Sequence, residues 1–267
     1  MLTDPWIAAL LALFAWWFST GLILLVVRSA DRGNRSLAVT LLALPVLALG
    51  AWGLWTSQTR LDAGGVYLAF LSALAIWGWI ELAFLAGVVT GPNTHICPST
   101  SPGWERFLRA WGTIAYHEIV LVFSLIAMWL ALHGAANMFG VWTFAVLFFA
   151  RVSAKLNLFL GVPKINTEFL PSALSHLPSH FRIAPMNALF PVSITALSFA
   201  TACWLERIYS AASPAETAGF ALLSALTALA LLEHWFMVLP LPDEKLWRWM
   251  LPAPKQNQKT REDAHGL

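Results

Sequence analysis

The chain has 267 residues, of which 58% are hydrophobic and only 11% charged. Soluble domains carry about 25% charged residues, so this composition excludes an ordinary water-soluble globule. A net charge of +2 with no basic cluster beside aromatic platforms excludes nucleic acid as a partner. Fifteen Trp residues and a mean hydropathy of +0.67 point instead to a membrane and its interfaces. Cys97 and Cys203 offer neither a disulfide framework nor zinc-ligand spacing and are expected as free thiols.

A helix needs about 20 mostly apolar residues to cross a bilayer. Seven stretches meet that length, so the expected fold is all-α, a polytopic transmembrane helix bundle. In chain order the predicted spans are 6–27, 37–55, 66–90, 107–132, 139–160, 189–208 and 215–239. The first follows Asp4 rather than a basic stretch, so it does not read as a cleavable signal. Pro45 is expected to kink the second span, with a neighbouring helix satisfying the freed carbonyl. Residues 1–252 form one bundle on this reading, and 253–267 a disordered tail. The stretch Glu244 to Pro252 reads as a Trp-anchored interfacial segment.

Orientation follows from Lys and Arg. Fourteen of the 16 fall on the side holding the 28–35, 91–109 and 161–187 regions and the tail, leaving only Arg60 and Arg207 opposite. The positive-inside rule makes the rich side cytoplasmic, hence N-out and C-in, with the bacterial inner (intracytoplasmic) membrane as the site. The outer loops are short and plain. The 91–104 loop is rich in Pro, Gly and Ser, whereas the cytoplasmic loop 161–187 is too apolar for a free linker. One or two short interfacial helices are expected in it. Its residues Phe169, Leu170, Phe181 and Asn187 are the candidates for partner contact.

Ionisable groups in hydrocarbon cost roughly 2.5–3.5 kcal/mol each on insertion scales and therefore call for a role. Glu81 lies in the third span, His117 and Glu118 in the fourth, Arg151, Lys155 and Asn157 in the fifth, Glu233 and His234 in the seventh. Counted from the cytoplasmic ends they form one layer, about 9–15 Å deep at ~1.5 Å per residue. Three chemistries suit such a layer. Arg151 and Lys155, four apart, share a helix face and can each neutralise a carboxylate. Alternatively His117 or His234 supplies an axial ligand to a tetrapyrrole metal. A metal site from Glu81, His117, Glu118, Glu233 and His234 is the third, although adjacent His–Glu pairs diverge by about 100° on a helix. His95, Cys97, His176 and His180 are expected as solvated loop residues on two separate segments, while Trp77 and Trp79 could line a pigment-contact surface.

The run SAKLNLFLGVPKINTEFLP (Ser153 to Pro171), HLPSHFRIAPMNALFPVSIT (His176 to Thr195), YHE (Tyr116 to Glu118), TGP (Thr90 to Pro92) and EHWF (Glu233 to Phe236) resemble the PuhE family. That family comprises photosynthetic complex assembly proteins of anoxygenic phototrophic bacteria. The resemblance implies a membrane-embedded assembly factor for the reaction centre and light-harvesting complex, or a regulator of bacteriochlorophyll supply. It would act through helix–helix contact, with membrane lipids, reaction-centre or light-harvesting subunits as partners and bacteriochlorophyll as a candidate ligand. The resemblance brings no catalytic residues. The alternative is an integral-membrane metal-dependent enzyme, an oxygenase or hydratase acting on a pigment or lipid precursor.

Overall fold

The structure is a computed structural model that describes residues 2–168 and 170–240. Phe169, the interfacial stretch from Glu244 to Pro252 and the 253–267 tail lie outside the described residues. Among the described residues eight α-helices follow in order: α1 (Pro5–Arg32), α2 (Ser36–Leu42), α3 (Leu44–Ser57), α4 (Ala63–Leu85), α5 (Gly103–Leu132), α6 (Phe139–Leu160), α7 (Leu189–Tyr209) and α8 (Pro214–Phe236). With α2 and α3 counted as one span, seven helical stretches among the described residues are long and apolar enough to cross a membrane. The chain is an all-α, multi-pass membrane bundle.

Two helices form its centre. More than half of the most apolar stretch of α4 (56%) and of α8 (61%) is buried, against 11–22% in the other five spans. The outer helices accordingly keep large apolar side chains on their outward faces, among them Phe123, Leu130 and Phe199. In water such a surface would be a liability; in lipid it needs no cover. Close approach rests on small residues: Gly50 and Gly53 of α3 lie directly against Ser72 and Ile76 of α4.

Pro45 breaks the second span at Ala43, between α2 and α3. Proline offers no N–H to the preceding turn. The indole of Trp79, on α4, donates to the Thr40 carbonyl at that break (3.2 Å). Trp79 is thereby engaged inside the bundle, and Trp77 packs edge-on against Phe144 at 5.3 Å. Neither lines the cavity described below.

The third span ends five residues before its predicted limit. Ala86 caps α4, Gly87 takes a left-handed φ of +78°, and the N–H of Val88 reaches back to Ala83. This is a Schellman stop. The apolar Val88 and Val89 hid it, because hydropathy alone cannot see a backbone reversal. The last span likewise ends at Phe236 rather than Leu239.

At the end carrying Arg60, the supposedly plain loops are stitched together. The Asn137 amide donates to the carbonyls of Ser57 and Arg60, and its own N–H to Gln58. At the other end, residues 162–187 form two single-turn 3-10 helices, Ser172–Leu174 and Leu177–His180, rather than true interfacial helices. Leu174 and Leu177 are buried against Phe84, with Leu170 and Phe181 packed beside them. Asp31, at the end of α1, accepts from the backbone and hydroxyl of Ser172 and so ties this segment to the bundle.

Candidate functional site: an intramembrane cavity with an ionic wall

The short stretch after α4 determines where the polar layer sits. Thr90 to Asn93 leaves the Gly87 turn and runs against the backbone of α5. The Thr90 carbonyl accepts from the N–H of His117 (3.0 Å), and the Asn93 N–H donates to Gly112 (3.0 Å). The Asn93 side-chain amide donates to the Arg109 carbonyl at 2.9 Å. An extended segment has hooked into the turns of α5 that lead directly to His117 and Glu118.

Those two adjacent residues then diverge, as helix geometry requires. His117, fully buried, packs against Phe84 with ring centres 4.4 Å apart and planes tilted by 36°, and lies 3.7 Å from Glu81. Glu118 instead pairs with Lys155 of α6. One turn earlier on α6, Arg151 donates to Glu81 at 3.1 Å. Arg151 and Lys155 thus each take one carboxylate, and Lys155 also stands 5.5 Å from the centre of the Phe84 ring.

The remaining members of the layer part company. His234 turns away from the carboxylates. Its Nδ1 lies 2.8 Å from the Ala230 carbonyl, which can only accept, so Nδ1 carries the proton and Nε2 accepts from the Ser153 hydroxyl (2.9 Å). Ser153 and Asn157 also meet Ser193 of α7, at 2.9 and 3.0 Å. Asn187 completes this neutral network: its amide donates to Asn157 and to the Gly161 carbonyl, while its oxygen accepts from the N–H groups of Leu189 and Phe190. Asn187, expected at a partner surface, is therefore spent on capping α7 and fastening it to α6. Ser153 and Ser193 carried no sequence signal, since an intrahelical serine normally satisfies itself on its own helix.

Glu233 points elsewhere again. With Phe236 and Met237, three and four residues on, it lines a cavity of about 610 Å³. The cavity lies beside the loop-end half of α6, between α5 and α8, with the end of α4 and the 164–181 segment around it. Phe84, Phe107, Trp111, Phe159, Phe181 and Phe236 supply aromatic wall. Glu118, Glu233, Arg151, Lys155 and Lys164 are its charged lining, and Leu170 also lines it. Drug-sized and cofactor sites fall in this volume range and have this balance of apolar wall and few polar groups.

The five residues considered for a metal do not converge. Glu118 is held by Lys155, Glu81 by Arg151 and His234 by Ser153. Among the described residues no group of three or more His, Cys, Asp or Glu is placed to hold a metal ion.

Of the three loop histidines expected in solvent, His95 is exposed and the other two are not. His176 and His180 are buried, and the loops they were assigned to are not separate. The Cys97 N–H donates to the Ser179 hydroxyl across 82 residues of sequence. Arg106 binds the carbonyls of Phe159 and His180, closing the end of α6. Burial holds both imidazoles below the usual histidine range, aided by His95 beside His176 and by Arg106 and Arg109 near His180. The sign follows directly. Unfolded, these groups titrate at about 6.5; folded, they take up protons only at lower pH, so their contribution is complete above pH 6.5 and is lost on acidification. Amides of residues 170–187 are expected to exchange faster at pH 5.5 than at pH 7.5 after correction for intrinsic rates. Equal corrected protection at the two pH values would contradict this.

Comparison with known proteins places the chain. The family described as "Protein of unknown function (DUF3623)" matches residues 2–258. An uncharacterized 30.4 kDa protein in the puhA 5′ region of Rhodobacter capsulatus is 55% identical over 261 residues, covering 97% of this chain and 95% of that protein. No solved structure matches. A family match over nearly the whole chain, together with a full-length relative of this identity, means that the chain belongs to the DUF3623 family.

Proposed function

We propose that this protein is a membrane-embedded assembly factor for photosynthetic complexes that holds a pigment or pigment precursor in its intramembrane cavity. The observation that carries this reading is the cavity itself: about 610 Å³, aromatic-walled, ionic on one side, and open along the outer helix faces where Trp111, Val122 and Leu156 are exposed. The similarity to a protein from the puhA 5′ region supports the photosynthetic context, because the puh locus links to photosynthesis. The resemblance of Ser153 to Thr195 to the PuhE family supports the role in assembly. In this reading the loop end is cytoplasmic and the membrane is the bacterial inner membrane, both on the strength of the Lys and Arg distribution. The partners are reaction-centre or light-harvesting subunits that receive the pigment. Leu170 and Phe181 act in it as cavity wall, and any contact with a partner falls to the outer faces of the same segment.

The test is an absorption spectrum from the near-ultraviolet to the near-infrared on protein purified in mild detergent from a phototrophic host, with elemental analysis of the same sample. Bacteriochlorophyll bands are expected, and they should fall at least fivefold in Ala154→Trp, which fills the cavity from α6. Protein without pigment but with stoichiometric iron would replace this reading by the metal-dependent enzyme.

A further inference from the structure

The cavity is shut at its loop end and open on its flank. Over the loop end, the segment that follows α6 is laced to three helices. The Arg182 N–H donates to the Leu158 carbonyl and the Lys164 N–H to that of Met237, so the segment bridges the ends of α6 and α8. Val162 and Ile183 pair as a short parallel bridge, and Arg106 of α5 holds the Phe159 and His180 carbonyls. Among the described residues, every part of the lining that this segment contributes is buried or half-buried. The exposed part of the described lining is Trp111 and Val122 on α5, Leu156 on α6 and Glu233 on α8, all within the spans.

The opening has a length and a chemistry. Phe107, Trp111, Ile114, Glu118 and Val122 recur every three or four residues, so the cavity follows one face of α5. Trp111 and Val122 are 11 positions apart (122 − 111), about 16 Å along the helix. That is roughly half the thickness of the hydrocarbon layer. The rim on α5 and α6 is apolar, whereas Glu118 and Lys155 stand inside, at 15% and 16% exposure. A polar inner wall behind a long apolar slot suits one molecule that has both parts. A compact polar solute would leave the slot unfilled and would find no way past the laced segment.

We propose that the cavity is loaded sideways from the bilayer by an amphipath with a long aliphatic chain. Its head enters between α5 and α8, and its chain stays in the slot and the surrounding lipid. The proposal rests on the pigment-holding reading and deepens it: the ligand is the chain-bearing form of the pigment, not a chain-free, water-borne precursor. A cavity of about 610 Å³ then has to enclose only the head. The chain needs no protein wall of its own, because lipid tails are as apolar as it is. Trp111, Val122 and Leu156 are the residues that meet it.

Bacteriochlorophyll a and bacteriochlorophyllide a provide the test, because they share a ring and a metal and differ in the chain. Each is titrated by absorption into protein purified in mild detergent. The variants are Val122→Trp and Leu156→Trp, which crowd the rim, and Ala154→Trp, which fills the cavity itself. Comparing each variant with the wild type for the same pigment cancels that pigment's own partition into micelles. The rim variants are expected to bind the chain-bearing pigment at least about fivefold more weakly and the chain-free one to within about twofold. Retained binding of the chain-free pigment also reports that they are folded. Ala154→Trp should weaken both. Rim variants that weaken both pigments equally, or neither, would overturn sideways loading while leaving the cavity reading intact. Failure of both pigments to bind the wild type saturably would overturn both.

Discussion

Replacing Gly91 with alanine is expected to cost at least about 3 kcal/mol and to abolish the polar layer along with the stability. A Cβ at this position would lie 2.1 Å from the Gly112 carbonyl oxygen, 2.7 Å from the Thr113 carbonyl carbon and 2.9 Å from the Ala115 nitrogen. All three are backbone atoms of α5, so no rotamer change relieves the contact. Overpacking a well-packed core typically costs about 1–3 kcal/mol through side-chain and backbone shifts; here the relief must come from moving a helix, and the upper end or beyond applies. Moving α5 away also breaks the bonds from His117 to Thr90 and from Asn93 to Gly112 and Arg109. The same displacement would carry Glu118 away from Lys155 and widen the cavity. Thermal unfolding in detergent measures the effect, with Gly103→Ala as the control: nothing lies within 4 Å of a Cβ there. A Gly91→Ala melting temperature equal to that of the control would show that the hook does not hold α5.

Much of the fold was legible because hydrophobicity and length are sufficient to find a span. The seven apolar runs, the break at Pro45 and the α6 face shared by Arg151 and Lys155 all follow from one-dimensional rules. What the rules missed involves backbone groups meeting across long separations. The Thr90–Asn93 hook reads carbonyls and N–H groups of α5, and every residue has those, so no composition marks it. His176 and His180 looked like solvated loop residues because Pro-rich segments usually lie in water. Here Leu170, Leu174, Leu177 and Phe181 pull the segment onto the end of α4 and bury the imidazoles with it. In the polar layer the sequence supplied the members but not the partition. Which of two adjacent residues faces which neighbour depends on helix rotation, and that is set by packing. Ser153 and Ser193 drew His234 and Asn157 into a neutral network, leaving the adjacent Glu233, about 100° round the helix, toward the cavity.

The same partition makes the Glu118–Lys155 pair a test of what the charges contribute. Both side chains are mostly enclosed, at 15% and 16% exposure, so water does little to screen them. Removing one partner from a buried pair strands the other, which costs about 3–5 kcal/mol, whereas exchanging both for apolar residues of similar volume is often close to neutral. Lys155→Met alone is therefore expected to destabilise by about 3 kcal/mol, and Glu118→Leu alone by a comparable amount. The double variant should recover most of that loss, giving a coupling energy of about 2 kcal/mol or more in a thermodynamic cycle. The two singles are not equivalent for the cavity. Loss of Lys155 leaves Glu118 without its partner while Arg151 stays committed to Glu81; loss of Glu118 leaves a cation facing Phe84 at 5.5 Å, a contact that partly compensates it. Lys155→Met should thus be the more damaging of the two, and more so in low salt for whatever part of the cavity admits solvent ions. Additive single effects in the cycle would show that the pair merely coexists in the layer. Strong coupling would show that the ionic wall is a register device, holding α5 and α6 in the one rotation that turns Glu118 and Arg151 toward the ligand space.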